Sequence, residues 1–207
     1  MHEIICLHTN NNVLKILFNC YHEIMFIEKP TYNTAVIEMN DSIKIKQTDI
    51  TELDVDAVVN AANSGLHEGS GVCGAIFDAA GSAELREACS KIGGCPTGSA
   101  VITPGFNLKA KYIIHAVGPI WNGGDEGEEE LLYGAYAQSL KLAIENGCKS
   151  IAFPLISSGI YGYPKEEAWK IAVRACRDFI KEEPIDITFA VLSDSSRKMG
   201  EEIISSL

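Results

Sequence analysis

From Ile43 onward, short apolar, β-branched runs alternate with longer stretches of helical period, and this alternation limits the possible fold more than any other feature of the chain. The runs Ile43–Gln47, Ala57–Asn60, Ala100–Thr103, Tyr112–Val117, Ile151–Leu155 and Ile187–Leu192 have the length and composition of strands. Between them, Leu132, Tyr136, Leu140 and Ile144 recur every four residues, and Ala168, Ile171, Ala172, Ala175 and Phe179 form a second stripe. Each stripe predicts a helix that buries one face. Pro164 followed by Glu166 and Glu167 marks a helix start, and Gly147 after Asn146 marks a helix stop. Alternation of this kind predicts an α/β domain, a three-layer α/β/α sandwich around a mixed sheet of about six strands.

Residues 1–40 read differently. Apolar bursts at Ile4–Leu7, Val13–Phe18, Ile24–Ile27 and Thr34–Met39 are broken by polar clusters and by Lys29-Pro30, a pattern that suggests strands or a hairpin. We therefore expect an extension over 1–40 and a single domain over 41–207. Seventeen Lys and Arg against 28 Asp and Glu give a formal charge of −11, which argues against nucleic acid or an anionic membrane as a partner. Any phosphate has to be caught locally. No apolar run is long enough to span a bilayer, and the polar start of the chain does not resemble a signal peptide. Seven scattered cysteines without a C-x-x-C pair fit a reducing compartment. The expectation is a cytoplasmic protein whose cysteines are mostly small buried hydrophobes.

Two loops carry the chemistry. Gly69-Ser70-Gly71-Val72-Cys73-Gly74 satisfies G-x-G-x-x-G, but eight residues separate it from the strand ending near Asn60. About 20 residues beyond it stands Gly93-Gly94 in place of an acidic ribose partner, so a dinucleotide-binding oxidoreductase is disfavoured. What survives is a glycine-rich turn opening a helix, where backbone N–H groups can approach a phosphate. After Ile151–Leu155 comes a second small-residue turn, Ile156 to Pro164, also leading into a helix. Two such loops at the carboxyl ends of strands would form an amide-lined crevice suited to a pyrophosphate. The plainer alternative is a pair of ordinary tight turns. The acidic run Asp125–Glu130 reads as a solvated first turn whose carboxylates suit a helix dipole.

The stretches Thr48-Asp49-Ile50-Thr51, Val58-Val59-Asn60-Ala61-Ala62-Asn63, Gly69-Ser70-Gly71-Val72, Tyr112 to Pro119 and Ile156 to Pro164 stand in the order and spacing of macrodomains. Over residues 43–193 the chain resembles the MacroD-like branch of that family, which processes ADP-ribose. The resemblance implies a cleft along the top of the sheet. There Asp49 would accept from the adenine amino group while the Ile50 amide donates to the ring. Asn63 would bond the distal ribose, with Asn63 and Gly71 positioning that sugar and a water. Gly69, Ser70, Gly71 and Val72 on one side, and Ser157, Ser158, Gly159, Ile160 and Tyr161 on the other, would hold the diphosphate, the Tyr161 ring packing on the distal ribose. The partner would be ADP-ribose or an ADP-ribosylated protein, and the reaction needs no cofactor and no metal.

Each residue has a plainer role beside the functional one. Asp49 could cap a turn before Thr51, Asn63 could form an Asx turn, Tyr161 could be a half-buried core aromatic, and His115 reads as a satisfied core histidine. Cys73 stands where several hydrolytic members carry Asp, Phe77 where they often carry His, and Ser70 replaces a loop glycine. As a thiol at a helix start Cys73 could be a nucleophile, but it reads better as a small half-buried side chain filling the Asp position. A zinc site from His67 and Cys73 lacks two further ligands at diagnostic spacing. Two functions follow from the resemblance. One is hydrolysis of O-acetyl-ADP-ribose or of ADP-ribosyl esters on protein carboxylates, with the ligand's diphosphate helping to orient water. The other is a non-catalytic ADP-ribose reader.

Overall fold

The structure, a computed structural model, describes residues 5–7, 15–17 and 42–207. Strands β1 (Ile5–Leu7) and β2 (Lys15–Leu17) pair antiparallel within a unit spanning Met1–Glu38. The expected strands at Ile24–Ile27 and Thr34–Met39 lie outside the described residues.

The second unit, Met39–Leu207, holds the remaining elements. These are β3 (Ile43–Gln47), a 3₁₀ turn (Ile50–Glu52), β4 (Ala57–Ala61), α1 (Val72–Ala80), α2 (Ser82–Ile92), β5 (Ser99–Pro104), β6 (Tyr112–Val117), α3 (Glu128–Glu145), β7 (Ser150–Phe153), α4 (Lys165–Ile180), β8 (Asp186–Val191) and α5 (Asp194–Ser206). Six strands form one sheet in the order β3-β8-β7-β4-β6-β5, parallel throughout except for the edge strand β5. This is the mixed α/β/α architecture that the alternation predicts.

The central strands are apolar along their length because both faces are covered. In β4, Val59 faces α3, α4 and α5, packing with Leu132, Trp169 and Phe189 in one core. Val58 faces α1 and α2 and packs with Ile76, Phe77 and Leu85 in the other. Ile114 and Ile113 divide the same way in β6. Phe77 is wholly buried and belongs to this second core. The five described cysteines that lie in this unit are all free and buried. Among the described residues no helix is long and apolar enough to cross a membrane.

β4 has β6 on one side and β7 on the other, and the chain reaches them by crossovers that diverge. That is a switch point, where the carboxyl ends of adjacent strands leave a crevice between their outgoing loops. Pro164 precedes α4, and Asn146 with Gly147 (φ +74°) ends α3, as the sequence signals indicate. One expectation is corrected. Glu128 is not a solvated helix-dipole carboxylate: it is 2% exposed and accepts from the backbone N–H groups of Asn122, Gly124 and Glu126 at 2.7–3.1 Å. Burial alone would raise its pKa, but its own amide and those of Asn122, Glu126 and Gly124 hold it below the ordinary carboxylate value.

At the base of the second loop the buried Tyr136 hydroxyl donates to the Pro154 carbonyl (3.5 Å) and accepts from the Ile156 N–H (3.0 Å). Tyr136→Phe leaves that amide buried without a partner, so the unfolding free energy should fall by about 1–3 kcal/mol. Chemical denaturation of the two proteins checks this; equal midpoints and slopes would contradict it.

Candidate functional site

A cleft of about 620 Å³ opens at the carboxyl ends of β3, β8, β7, β4 and β6. Every site residue expected from the sequence lines it: Asp49 and Ile50 after β3, Asn63 and 69–72 after β4, and 157–161 after β7. Cys73 lines it as well. The polypeptide reaches these positions through backbone conformations that side chains resist. Gly71 takes φ +63° and ψ −135° at the start of α1, a region open to glycine. Ser157, a non-glycine, adopts φ +64°, which costs about 1–2 kcal/mol. Its Oγ is buried without a hydrogen-bond partner among the described residues and packs so close to Gly118 that a Cβ there would collide with it.

The plainer roles of Asp49 and Asn63 turn out to coexist with a place on the cleft. Asp49 Oδ1 caps the 3₁₀ turn, accepting from Thr51 N (2.9 Å) and Thr51 Oγ1 (2.8 Å). That bonding involves one oxygen of an exposed carboxylate that has two. Asn63 closes a loop with His67, its Nδ2 donating to the His67 carbonyl (2.7 Å) and its Oδ1 accepting from the His67 N–H (3.0 Å). An amide has two donors and two acceptor lone pairs, so one of each is left over and now held in a fixed direction.

The electrostatics of the cleft come chiefly from the backbone. The first turns of three helices border it: α1 at Gly71–Cys73, α4 at Lys165, and α5 at Ser193 and Ser196. The N–H groups of a first helical turn have no partner inside the helix, and the dipole adds partial positive charge there. Among the described residues that line the cleft, Asp49 and Lys165 are the charged side chains. Gly118 stands in an ordered motif and Lys165 in a helix-start signature, but neither was assigned to the cleft from the sequence, nor were Leu192, Ser193 and Ser196. The α5 start also carried a local signal: Ser193, whose side chain accepts from the Ser196 amide (3.2 Å), is a common N-cap residue.

Comparison with known proteins agrees with this geometry. Residues 59–172 match the Macro domain family. An O-acetyl-ADP-ribose deacetylase from Escherichia fergusonii is 49% identical over 173 residues, covering 81% of this chain and 97% of that protein. The chain belongs to the macrodomain family. A Macro domain-containing protein from Cupriavidus necator is 48% identical over 171 residues, covering 80% of this chain and 98% of that protein. Among solved structures, an Oceanobacillus iheyensis macrodomain with ADP superposes with a TM-score of 0.77 at 38% identity, covering 81% of this chain and 93% of that one. A Trypanosoma brucei macrodomain in complex with ADP-ribose gives 0.73 at 37% identity, with coverage of 79% and 69%.

Beneath the glycine-rich loop of the macrodomain lies a buried polar cluster. His115, fully buried on β6, has Nδ1 3.1 Å from Asn60 Nδ2 and Nε2 3.0 Å from Thr103 Oγ1. With Asn60 Nδ2 as donor, Nδ1 accepts and the proton sits on Nε2, a neutral tautomer inferred from this network. Burial pushes the His115 pKa down to about 4. The Cys89 thiol, 3.8 Å from Nε2, is raised to about 11 by burial and by its neighbour Cys73. Cys73 is 5% exposed, 3.6 Å from Asn60 Nδ2 and 3.8 Å from the His67 carbonyl. The thiol is thus bonded into the floor, and among the described residues no group of His, Cys, Asp and Glu is arranged to hold a metal ion. His115 is a core residue, as its apolar strand suggests.

A histidine with a depressed folded pKa stabilises the fold fully above its unfolded value of about 6.5. That contribution is lost as the pH falls from there toward 4, by about 3 kcal/mol in total. NMR should show the His115 ring titrating near pH 4 or unfolding with the protein; a midpoint near 6.5 in the folded state would contradict the burial.

Proposed function

We propose that this macrodomain binds ADP-ribose in the cleft and hydrolyses acyl esters of its distal ribose, either O-acetyl-ADP-ribose or ADP-ribosyl esters on protein carboxylates. The observation that carries the reading is the pair of amide-bearing loops, 69–72 and 157–161, facing one cleft whose charge comes from helix N-termini. A diphosphate between them meets backbone N–H groups on both sides without a Cβ in the way. The relatives solved with ADP and ADP-ribose, and the deacetylases among the sequence relatives, support the same ligand class.

Adenine lies at the Asp49 end, where the second carboxylate oxygen accepts from its amino group. The distal ribose lies by Asn63, whose spare donor and acceptor match two sugar hydroxyls. Water attacks the ester carbonyl from between the diphosphate and the Gly69–Val72 segment, Gly71 leaving room for it because it carries no side chain. Held there, the water and ester react as one bound unit, and the gain is positional. The alcohol of ribose leaves and a carboxylic acid is released.

The reader function rests on one specific observation: among the described residues no carboxylate lines the cleft near the glycine loop, Cys73 occupying that place. Turnover of O-acetyl-ADP-ribose separates the two. The parent should release acetate. Asn63→Ala should cost roughly 1–3 kcal/mol, or about 5- to 150-fold in rate or affinity. Cys73→Ala should stay within about threefold, because a small apolar side chain preserves the packing. Collapse of activity in Cys73→Ala at unchanged affinity would make the thiol a participant. ADP-ribose binding without turnover in the parent would make the protein a reader.

A further inference from the structure

We propose that Glu128 is a positioning residue for the loop that carries Tyr161, and that through it the macrodomain sets its affinity for the diphosphate and distal-ribose half of ADP-ribose. The inference rests on the functional reading above, in which residues 157–161 hold that half of the ligand.

The loop has little to hold it in place. Gly159 and Gly162 have open space where a Cβ would sit, and Ile160 is 83% exposed. The hydrogen bonds within it are local: Ser158 N and Oγ reach Leu155 O, Gly162 N reaches Gly159 O, and Tyr163 N reaches Ser157 O. Among the described residues, one hydrogen bond reaches 158–162 from outside the loop. It is donated by the Trp121 N–H to the Tyr161 carbonyl at 2.8 Å. The Trp121 ring also packs on Tyr163, with centroids 4.6 Å apart. The position of the tip therefore depends on Trp121.

Trp121 depends in turn on Glu128. Residues 122–127 form a turn with three glycines at positive φ: Gly123 (+117°), Gly124 (+96°) and Gly127 (+77°). Such a segment has a large unfolded entropy and needs fixed partners to keep one shape. Glu128 supplies them. Its Oε1 accepts from Asn122 N (3.0 Å) and Gly124 N (3.1 Å), and its Oε2 from Glu126 N (2.7 Å). This places Gly124 so close to the indole that a Cβ there would lie 2.7 Å from Trp121 Cη2. One buried carboxylate thus gathers three amides, the gathered turn packs on Trp121, and Trp121 bonds the ligand loop. Glu128 itself does not line the cleft.

Calorimetry on the parent, Glu128→Ala and Glu128→Gln, with ADP-ribose and with AMP, tests this chain of contacts. AMP serves as the probe that lacks the distal phosphate and ribose. Losing the acceptor of three amides should weaken ADP-ribose by roughly tenfold in Glu128→Ala while AMP changes by less than about twofold. Trp121 emission should shift to the red as the turn releases the ring. Glu128→Gln keeps the shape and one acceptor oxygen, so it should lose less, and it carries the test if the alanine variant does not fold. An unchanged ratio of ADP-ribose to AMP affinity in the folded variants, whether both ligands weaken together or neither does, would overturn the proposal. Failure of the parent to bind ADP-ribose would instead remove the functional reading on which it stands.

Discussion

An acidic chain that is to hold a doubly charged ligand has to do so with backbone amides. Its formal charge of −11 gives no long-range attraction, and among the described residues the cleft holds a single cationic side chain, Lys165. What it has instead are the first turns of α1, α4 and α5, whose N–H groups and dipoles border one crevice. The rest of the architecture follows from bringing those helix ends together. Parallel strands require crossovers, the crossovers put helix N-termini at the strands' carboxyl ends, and the switch point at β4 leaves space between them. Gly71 and Ser157, both at positive φ, are the points where the chain bends to make that approach.

The division between enzyme and reader turns on the floor of the same crevice. A carboxylate in the place of Cys73 would offer a base to a bound water, whereas the thiol is tied to Asn60 and to the His67 carbonyl. The same carbonyl accepts from Asn63, so Cys73 and Asn63 meet on one backbone group. With the thiol rather than a carboxylate there, the turnover we propose would draw on alignment more than on proton transfer.

Much of the fold was legible because hydrophobic period is a local property. β3 and β6 run over the residues that the apolar runs mark, and β7 stops at Phe153 rather than Leu155 because Pro154 cannot donate to the ladder. Asp49 and Asn63 could be singled out because they stand in ordered motifs, but sequence could not show that each would keep a turn-forming bond and a cleft position together. Glu128 was misread because a carboxylate beside glycines looks the same whether it faces water or folds back onto their amides. Gly118 stands in an ordered motif and Lys165 in a helix-start signature, but neither pattern shows that the residue reaches the cleft, which takes tertiary packing.

The central claim is that amides of two loops hold a diphosphate between them, and calorimetry of ADP-ribose binding to the parent and to Gly159→Glu tests it most directly. A Cβ at Gly159 meets nothing within 4 Å, so the unliganded loop tolerates the side chain, and a lost heat of binding reports on the ligand rather than on folding. The account predicts saturable binding to the parent and none to the variant, whose bulk and negative charge occupy the diphosphate position. Equal binding to both proteins, or no binding to the parent, would contradict it.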